Sequence, residues 1–226
     1  QERSEAEQRQ FRRMTETPVP RLVSALAVPT ILSMLITTFY NMVDTFFVAK
    51  LGTSAAGAVG IVFAMMALIQ AVGFMIGVGC GSSVSRALGR QDREAADRFG
   101  SSAFLMSLVF GLTLTVIGLV FNSGLMRLLG ATPTILPYAR DYAKYIFAGT
   151  VLMCSSFVLN NILRAEGKAV LSMVGLGFGG LLNIGLDPLF IFTFGLGIAG
   201  AALATLISQA LSFGILLYFF IAKKTI

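Results

Sequence analysis

The sequence carries little charge and contains no histidine. Only 12% of the 226 residues are charged, against roughly a quarter in soluble domains, and 56% are hydrophobic. This composition excludes an ordinary soluble domain and indicates a membrane protein. Because histidine is missing, a pH response cannot use imidazole, and any proton chemistry must use carboxylates.

Cysteine is scarce as well. Cys80 and Cys154 both fall inside apolar stretches, where a thiol behaves as a small buried hydrophobic side chain. We therefore expect neither a disulfide nor a metal site at these positions. The formal net charge of +6 does not indicate a nucleic-acid partner, because the basic residues lie between long apolar segments rather than on one face.

Long apolar segments, in contrast, are abundant. Each of six segments exceeds the roughly 20 residues that a helix needs to cross a bilayer, and no alternating strand pattern competes. The segments cover about residues 22–48, 55–82, 99–121, 137–161, 169–194 and 198–221. We predict an all-α polytopic membrane protein with a six-span membrane lobe at 22–222, preceded by a charged cytoplasmic tail at 1–21.

The lysine and arginine residues predict the orientation. Thirteen of the 17 fall on one side of the predicted spans, and the positive-inside rule makes that side cytoplasmic. Both termini are then cytoplasmic, and we expect a multi-pass protein of the cell (plasma or inner) membrane. Asp92 is predicted to cap a helix on the cytoplasmic side. On the outer side, Tyr138, Tyr142 and Tyr145 are predicted to join the interfacial aromatic belt.

A few strongly polar residues interrupt the spans. They are Tyr40, Asn41 and Asp44 in the first span, Asn160 and Asn161 in the fourth, Asn183 and Asp187 in the fifth, and Thr205 and Gln209 in the sixth. An ionised aspartate at the bilayer centre costs roughly 2.5–3.5 kcal/mol, so such a residue usually faces a bundle interior or an aqueous cavity. In the first, fifth and sixth spans, polar residues four apart share a helix face.

These faces predict a shared polar pocket in the outer half of the membrane. Its oxygen-rich side chains suit a proton or a hard cation such as Na⁺. Pro188 cannot donate a hydrogen bond to the carbonyl of Ile184, so we expect a bend that frees an oxygen beside Asp187.

Other interpretations of these residues stay open. Asp44 could cap the outer turn in hydrated surroundings, and Asp187 could have a structural role. Asn160 and Asn161 could cap the turn "RAEGK", and Pro29 could be an ordinary kink. Close helix packing alone explains two glycine ridges. The ridges are Gly73, Gly77 and Gly81 in the second span, and Gly175 and Gly179 in the fifth.

The stretches "FYNMVDTFFVAKLG" and "LRAEGKAVLSMVGLGFGGLLNIGLDPLFIFTFGLGIAGAALATLISQ" resemble the MATE family of multidrug and toxic compound extrusion antiporters. The likeness covers about residues 22–222. It implies one six-helix lobe of a twelve-helix transporter that exports amphipathic, often cationic, compounds in exchange for H⁺ or Na⁺. No cofactor other than this coupling ion is implied.

The resemblance also implies residue roles. Ion coupling falls to Asp44 in "NMVD", to Asn183 and Asp187 in "NIGLDP", and to Thr205 in "GAALAT", and the same four residues are the possible Na⁺ ligands. Tyr40 is a further candidate for ion coupling. Tyr40 and Asn160 fit the same polar network, and Pro29 resembles the bending proline of the first span. With Asn41 and Gln209, Asn160 is our candidate for the substrate cavity, and Pro29 and Pro188 are candidate hinges.

One departure from the family concerns length. Residues 223–226 stand where the cytoplasmic linker between two lobes begins, so we expect a second six-helix lobe as partner. That lobe could be a covalent C-terminal half, a companion chain or a second copy. The other expected partners are small amphipathic or cationic molecules and the lipid bilayer. The alternative functions are a lipid-precursor flippase of related fold, an intramembrane aspartyl protease and an assembly scaffold.

Overall fold

Helices make up nearly all of residues 5–222. A computed structural model describes these residues, apart from the side chains of 5–7, 10, 11 and 222. The helices are α1 (Glu5–Glu16), α2 (Val19–Ala49), α3 (Thr53–Gly89), α4 (Arg93–Val120), α5 (Asn122–Leu128), α6 (Leu136–Ala165), α7 (Ala169–Pro188) and α8 (Ile198–Ala222). Within residues 5–222 there is no strand.

Six of these helices are long and apolar enough to cross a membrane, namely α2, α3, α4, α6, α8, and α7 together with the turn that follows it. The predicted all-α class with six spans is confirmed. The linker predicted at 223–226 lies outside the described residues. Cys80 and Cys154 are both buried free thiols, as expected.

Helix α6 occupies the centre of the bundle. It packs against α3 and α4 on one side and against α8 on the other. Helix α2 is peripheral and packs chiefly against α7. Its outward face is apolar and exposed, as Leu35 (59%), Phe39 (60%) and Met42 (66%) illustrate. Such a face requires lipid or another protein segment to cover it.

Glycines bring the spans close together, as predicted for both ridges. A Cβ atom at Gly77 would lie 2.8 Å from the Asn161 side-chain nitrogen of α6, so α3 and α6 meet almost backbone to backbone there. A Cβ at Gly179 of α7 would overlap the Ser212 hydroxyl of α8. Small residues allow this approach in membranes, where apolar burial does not drive helices together.

The chain reverses between α7 and α8 through a widened helical turn. Five residues of π-helix, Leu189–Thr193, follow Pro188, and the Phe194 amide donates to the Leu189 carbonyl at 3.0 Å. Gly195 and Gly197 then adopt φ angles of 66° and 57°, which favour glycine because it has no Cβ. The bend predicted at Pro188 is therefore a π-helical turn directly after Asp187, a feature often found at functional sites.

The opposite end of the bundle holds the shorter connections. The Asp92 side chain accepts a hydrogen bond from the Ala95 amide at 3.0 Å, which confirms the predicted cap of α4. Helix α1 was not predicted, because sequence analysis indicates only a charged tail in this part of the chain. It lies over the turn between α6 and α7, where a Cβ at Gly167 would come within 2.7 Å of the Met14 sulfur.

Candidate functional site

Two aspartates meet inside the bundle near one end of the spans. Asp44 lies in the last two turns of α2, and Asp187 lies at the end of α7, directly before Pro188. Both are buried, with 3% and 0% of their surface exposed. Their carboxylates are close enough to interact electrostatically. The fold therefore brings together two acids from the first and fifth spans.

Hydrogen bonds connect these acids to neutral side chains. The Tyr142 hydroxyl donates to Asp44 Oδ2 at 3.2 Å. The Asn183 Nδ2 atom donates to Asp187 Oδ1 and to Thr205 Oγ1, both at 3.4 Å. The Tyr142 hydroxyl also lies near Thr205. These five residues form one buried polar cluster, which we call the acid pocket.

The prediction for Tyr142 is wrong. Sequence analysis assigns it to the interfacial aromatic belt, yet it is 0% exposed, whereas Tyr138 is 45% exposed. The physical reason is the helix face, because Tyr142 points to Asp44 inside the bundle, whereas Tyr145, further along α6, is only partly buried. The local sequence does not show this, since both tyrosines follow the same loop.

The acid pocket retains unused hydrogen-bonding capacity. Asp44 Oδ1, Asn183 Oδ1 and Asp187 Oδ2 are buried and accept no hydrogen bond from the protein. Within residues 5–222, no Lys or Arg forms an ion pair with either acid. Buried charges are ordinarily paired or neutralised. The pocket can thus take up a proton or a small cation, either of which would reduce its negative charge.

The donor set indicates which ions suit the pocket. In the described part of the chain, no three His, Cys, Asp or Glu side chains cluster as a metal site would require. The pocket instead offers two carboxylates together with amide and hydroxyl oxygens. Such oxygen donors suit hard cations and protons rather than the softer transition metals.

A second polar space adjoins the acid pocket. This cavity of about 40 Å³ shares Asn183 and Thr205 with the acid pocket and continues along α8 past Ser208 to Ser212. Its other polar lining residues are Thr37, Tyr40, Gln70, Ser156 and Gln209. We call it the serine cavity. The hydroxyls of Ser156 and Ser208 are buried without a hydrogen-bond partner. A cavity of this size holds about two or three waters, which would satisfy them.

Sequence analysis missed most of the serine cavity, although α8 carries a signal. Relative to Thr205, the residues Ser208, Gln209 and Ser212 follow at offsets of 3, 4 and 7, which place all four on one face of the sixth span. Serine is common in membrane helices, so sequence analysis singles out only the stronger polar groups.

Leucines bound the serine cavity on the side away from the acids. Leu159, Leu163 and Leu216 are all 0% exposed and form one buried cluster, which we call the leucine layer. Leu176 both lines the serine cavity and packs against this layer. Gly175 leaves room for Leu216, because a Cβ there would lie 2.5 Å from its Cδ2 atom.

The remaining predicted residues divide into two groups. Tyr40 and Gln209 line the serine cavity and are within hydrogen-bonding reach of each other. Asn160 is not brought to the acids. Its Nδ2 atom donates to the Ser172 carbonyl at 3.3 Å, and it ties α6 to the start of α7. Asn41 does not line the cavity.

The hinge candidates are both accommodated within helical structure. Pro29 lies inside α2, which continues through it to Ala49. Pro188 is the last residue of α7, and the π-helical turn begins immediately after it.

Comparison with known proteins places this geometry among transporters. The multidrug export protein MepA of Staphylococcus haemolyticus is 32% identical over 210 residues, which are 92% of this chain and 46% of that protein. A FAD transporter of Shewanella oneidensis is 29% identical over 214 residues, which are 93% of this chain and 47% of that protein. The chain thus spans about half the length of the curated relatives that it matches.

Solved structures agree. A multidrug resistance MATE family transporter of the MOP superfamily, in an outward-facing conformation, superposes with a TM-score of 0.90 at 32% identity. The match covers 99% of this chain and 49% of that one, as expected for one lobe. The sequence model of the MatE family matches residues 29–189, which include both acids of the pocket. The chain therefore belongs to the MatE family of membrane transporters.

Proposed function

We propose that this chain is the N-terminal lobe of an ion-coupled exporter of amphipathic, mainly cationic, compounds, with the acid pocket as its coupling site. One observation carries the proposal: two buried aspartates share a pocket with unsatisfied oxygens and have no cationic partner within residues 5–222. The multidrug export relative supports the class of cargo. The distribution of basic residues supports an orientation with both termini in the cytoplasm.

Coupling arises because ion and cargo use overlapping groups, with the serine cavity as the part of the cargo site that this lobe contributes. Its volume of about 40 Å³ is far below that of a drug-sized site, so the partner lobe must supply the rest of the space. Asn183 and Thr205 belong to the acid pocket and also line the serine cavity. With both acids ionised, the pocket attracts a cation, and close carboxylates take up protons stepwise. When H⁺ or Na⁺ binds, the negative charge that holds a cationic cargo is lost. The ion and the cargo therefore exclude each other, which is the requirement for antiport.

The second lobe completes the cycle. Alternating access moves one bundle against another around a central site. In this lobe, the exposed apolar face of α2 and the partly exposed cavity residues Thr37 and Gln70 are surfaces that such a partner can cover. The partner is a covalent C-terminal half, a companion chain or a second copy.

The test measures efflux of a fluorescent organic cation from proteoliposomes that contain this lobe with its partner lobe. Asp44→Asn and Asp187→Asn keep the side-chain shape and remove the charge, and each is expected to abolish ion-driven efflux. Asp141→Asn is the matched control, since this acid is exposed on α6 and pairs with Lys144. Wild-type efflux in both pocket variants would refute the proposal.

The same vesicles distinguish the coupling ions. A pH gradient without Na⁺ drives efflux if the pocket exchanges protons, and a Na⁺ gradient at equal pH drives it if the pocket exchanges Na⁺. The oxygen donors suit both ions, so this measurement decides between them.

A second cargo class follows from the FAD transporter among the relatives. A flavin nucleotide is anionic, and no Lys or Arg lines the serine cavity. An anionic cargo would therefore depend on basic groups from the partner lobe. Export of FAD that is insensitive to Asp44→Asn would favour this second candidate.

A further inference from the structure

A basic cleft lies at the end of the bundle opposite the acid pocket. It has a volume of about 350 Å³ and is bounded by α1, the start of α2 and the turn that leads into α7. Arg9 and Arg13 line it from α1, and Lys168 lines it from the turn. Nothing in the exchange mechanism uses this cleft.

Helix α1 can form one wall of the cleft because the α6–α7 turn has a glycine where the helix contacts it. Gly167 has a φ of 77°, and a Cβ there would lie 2.7 Å from the Met14 sulfur. The absence of a side chain at this position lets α1 lie across the turn. The two arginines, one turn apart on α1, are thus brought to the same cleft as Lys168.

The charges in the cleft favour an anion. Among the described side chains, three basic ones line it and no acidic one does. Lys168 also pairs with Glu166, with Nζ and Oε2 2.6 Å apart. Burial raises the pKa of Glu166 from 4.5 to about 7, so its carboxyl group is protonated in a large share of molecules at neutral pH. The pair therefore removes only part of the positive charge.

The apolar part of the cleft wall indicates that its ligand is a membrane lipid. Ala25 and Leu26 belong to α2, and Val170 and Leu171 belong to α7, so apolar side chains of two membrane spans continue the basic rim. Val170 is 56% exposed and faces outward. A ligand that fits both parts has an anionic head and a hydrocarbon tail. Basic pockets between spans on the cytoplasmic side bind anionic lipid head groups in this way.

We propose that the basic cleft binds the phosphate head group of an anionic phospholipid of the cytoplasmic leaflet, with Arg9, Arg13 and Lys168 around the phosphate. The acyl chains lie along the first turns of α2 and α7. This inference concerns a face of the lobe remote from the acid pocket, and it holds whatever the exported compound is.

The experiment uses the full chain in micelles that contain equal amounts of phosphatidylglycerol and phosphatidylcholine, with the retained lipids counted by native mass spectrometry. The wild type is expected to retain phosphatidylglycerol preferentially. Arg9→Gln with Arg13→Gln should weaken phosphatidylglycerol binding by about tenfold or more, since each basic residue near the surface adds to the attraction. This double variant leaves the pair of Lys168 and Glu166 intact.

Two control variants make the result specific. Arg12→Gln with Arg98→Gln removes the same charge from the same end of the bundle, but neither residue lines the cleft, so binding should stay within about twofold of the wild type. Arg9→Lys with Arg13→Lys keeps the charge and should retain most of the binding, because the attraction of a basic group to an anionic lipid surface depends mainly on its charge. An equal loss in the first control would show diffuse attraction and overturn the proposal.

A competition arm separates a lipid from a soluble anion. Excess inorganic phosphate lacks acyl chains and is expected to leave the retained phosphatidylglycerol unchanged. Displacement by phosphate at low concentration would identify a site for soluble anions and overturn the assignment to lipid. Equal retention of both lipids by the wild type would overturn it as well.

Discussion

Replacing Gly179 by alanine tests whether the contact between α7 and α8 is as close as the structure shows. The new Cβ would overlap the Ser212 hydroxyl and lie 2.9 Å from the Ser208 carbonyl oxygen. The hydroxyl can rotate, but the carbonyl belongs to the backbone, so α8 must move away. Overpacking of this kind typically costs about 1–3 kcal/mol.

Gly185→Ala in the same helix is the matched control. No atom lies within 4 Å of the Cβ position at Gly185, and alanine stabilises a helix by about 0.5–1 kcal/mol relative to glycine. The two variants should therefore differ by about 1.5–4 kcal/mol in free energy of unfolding.

Thermal unfolding in detergent measures this difference. For a chain of this length each kcal/mol shifts the midpoint by about 2–4 °C, so Gly179→Ala should unfold at least about 3 °C below Gly185→Ala. Equal midpoints would refute the packing described for α7 and α8. The serine cavity, which Gly179 lines, would then also need a different shape.

Three further outcomes are expected. Tyr142→Phe should lower the free energy of unfolding by about 1–2 kcal/mol, because it removes a buried hydrogen bond, whereas Tyr138→Phe at an exposed site should change little; equal effects of the two in thermal unfolding would contradict the acid pocket. Under the proposed coupling role, Asp187→Asn should raise the unfolding midpoint while abolishing export by the assembled transporter, since it removes a buried charge that costs stability; a lower midpoint would contradict this. Between pH 4.5 and 7 the free energy of unfolding should fall by about 3 kcal/mol as pH rises, because the raised pKa of Glu166 makes the folded state bind more protons than the unfolded state in that window. Glu166→Gln should flatten that part of a stability–pH profile, and Glu94→Gln at an exposed site should not.

The spans could be predicted because length and apolar composition alone identify a helix that crosses a bilayer. Helix α1 could not. Its sequence is charged throughout, and its docking depends on contacts at Gly167, far along the chain. The π-helical turn could not be predicted either. Pro188 indicates that a helical hydrogen bond is missing, but the sequence does not show which hydrogen bonds form instead.

The acid pocket could be predicted in part, because only some of its residues are unusual within an apolar span. Asp44 and Asp187 are conspicuous because an acid in a span is costly. Tyr142 of the same pocket and Ser208 of the adjoining serine cavity are not conspicuous, because a tyrosine suits the interface and a serine is tolerated anywhere in a span. Asn160 was predicted for the site but does not belong to it. It is as conspicuous as Asn183, yet it serves the junction of α6 and α7.

Under the proposed mechanism, the leucine layer bears on where an ion can leave the lobe. A water-filled path through the whole lobe would let ions run down their gradient without moving any cargo. Leu159, Leu163 and Leu216 instead place a buried apolar cluster on the inner side of the serine cavity. An ion held at the aspartates then does not leak inward through this conformation, and its release on the other side of the membrane requires the rearrangement that alternating access supplies.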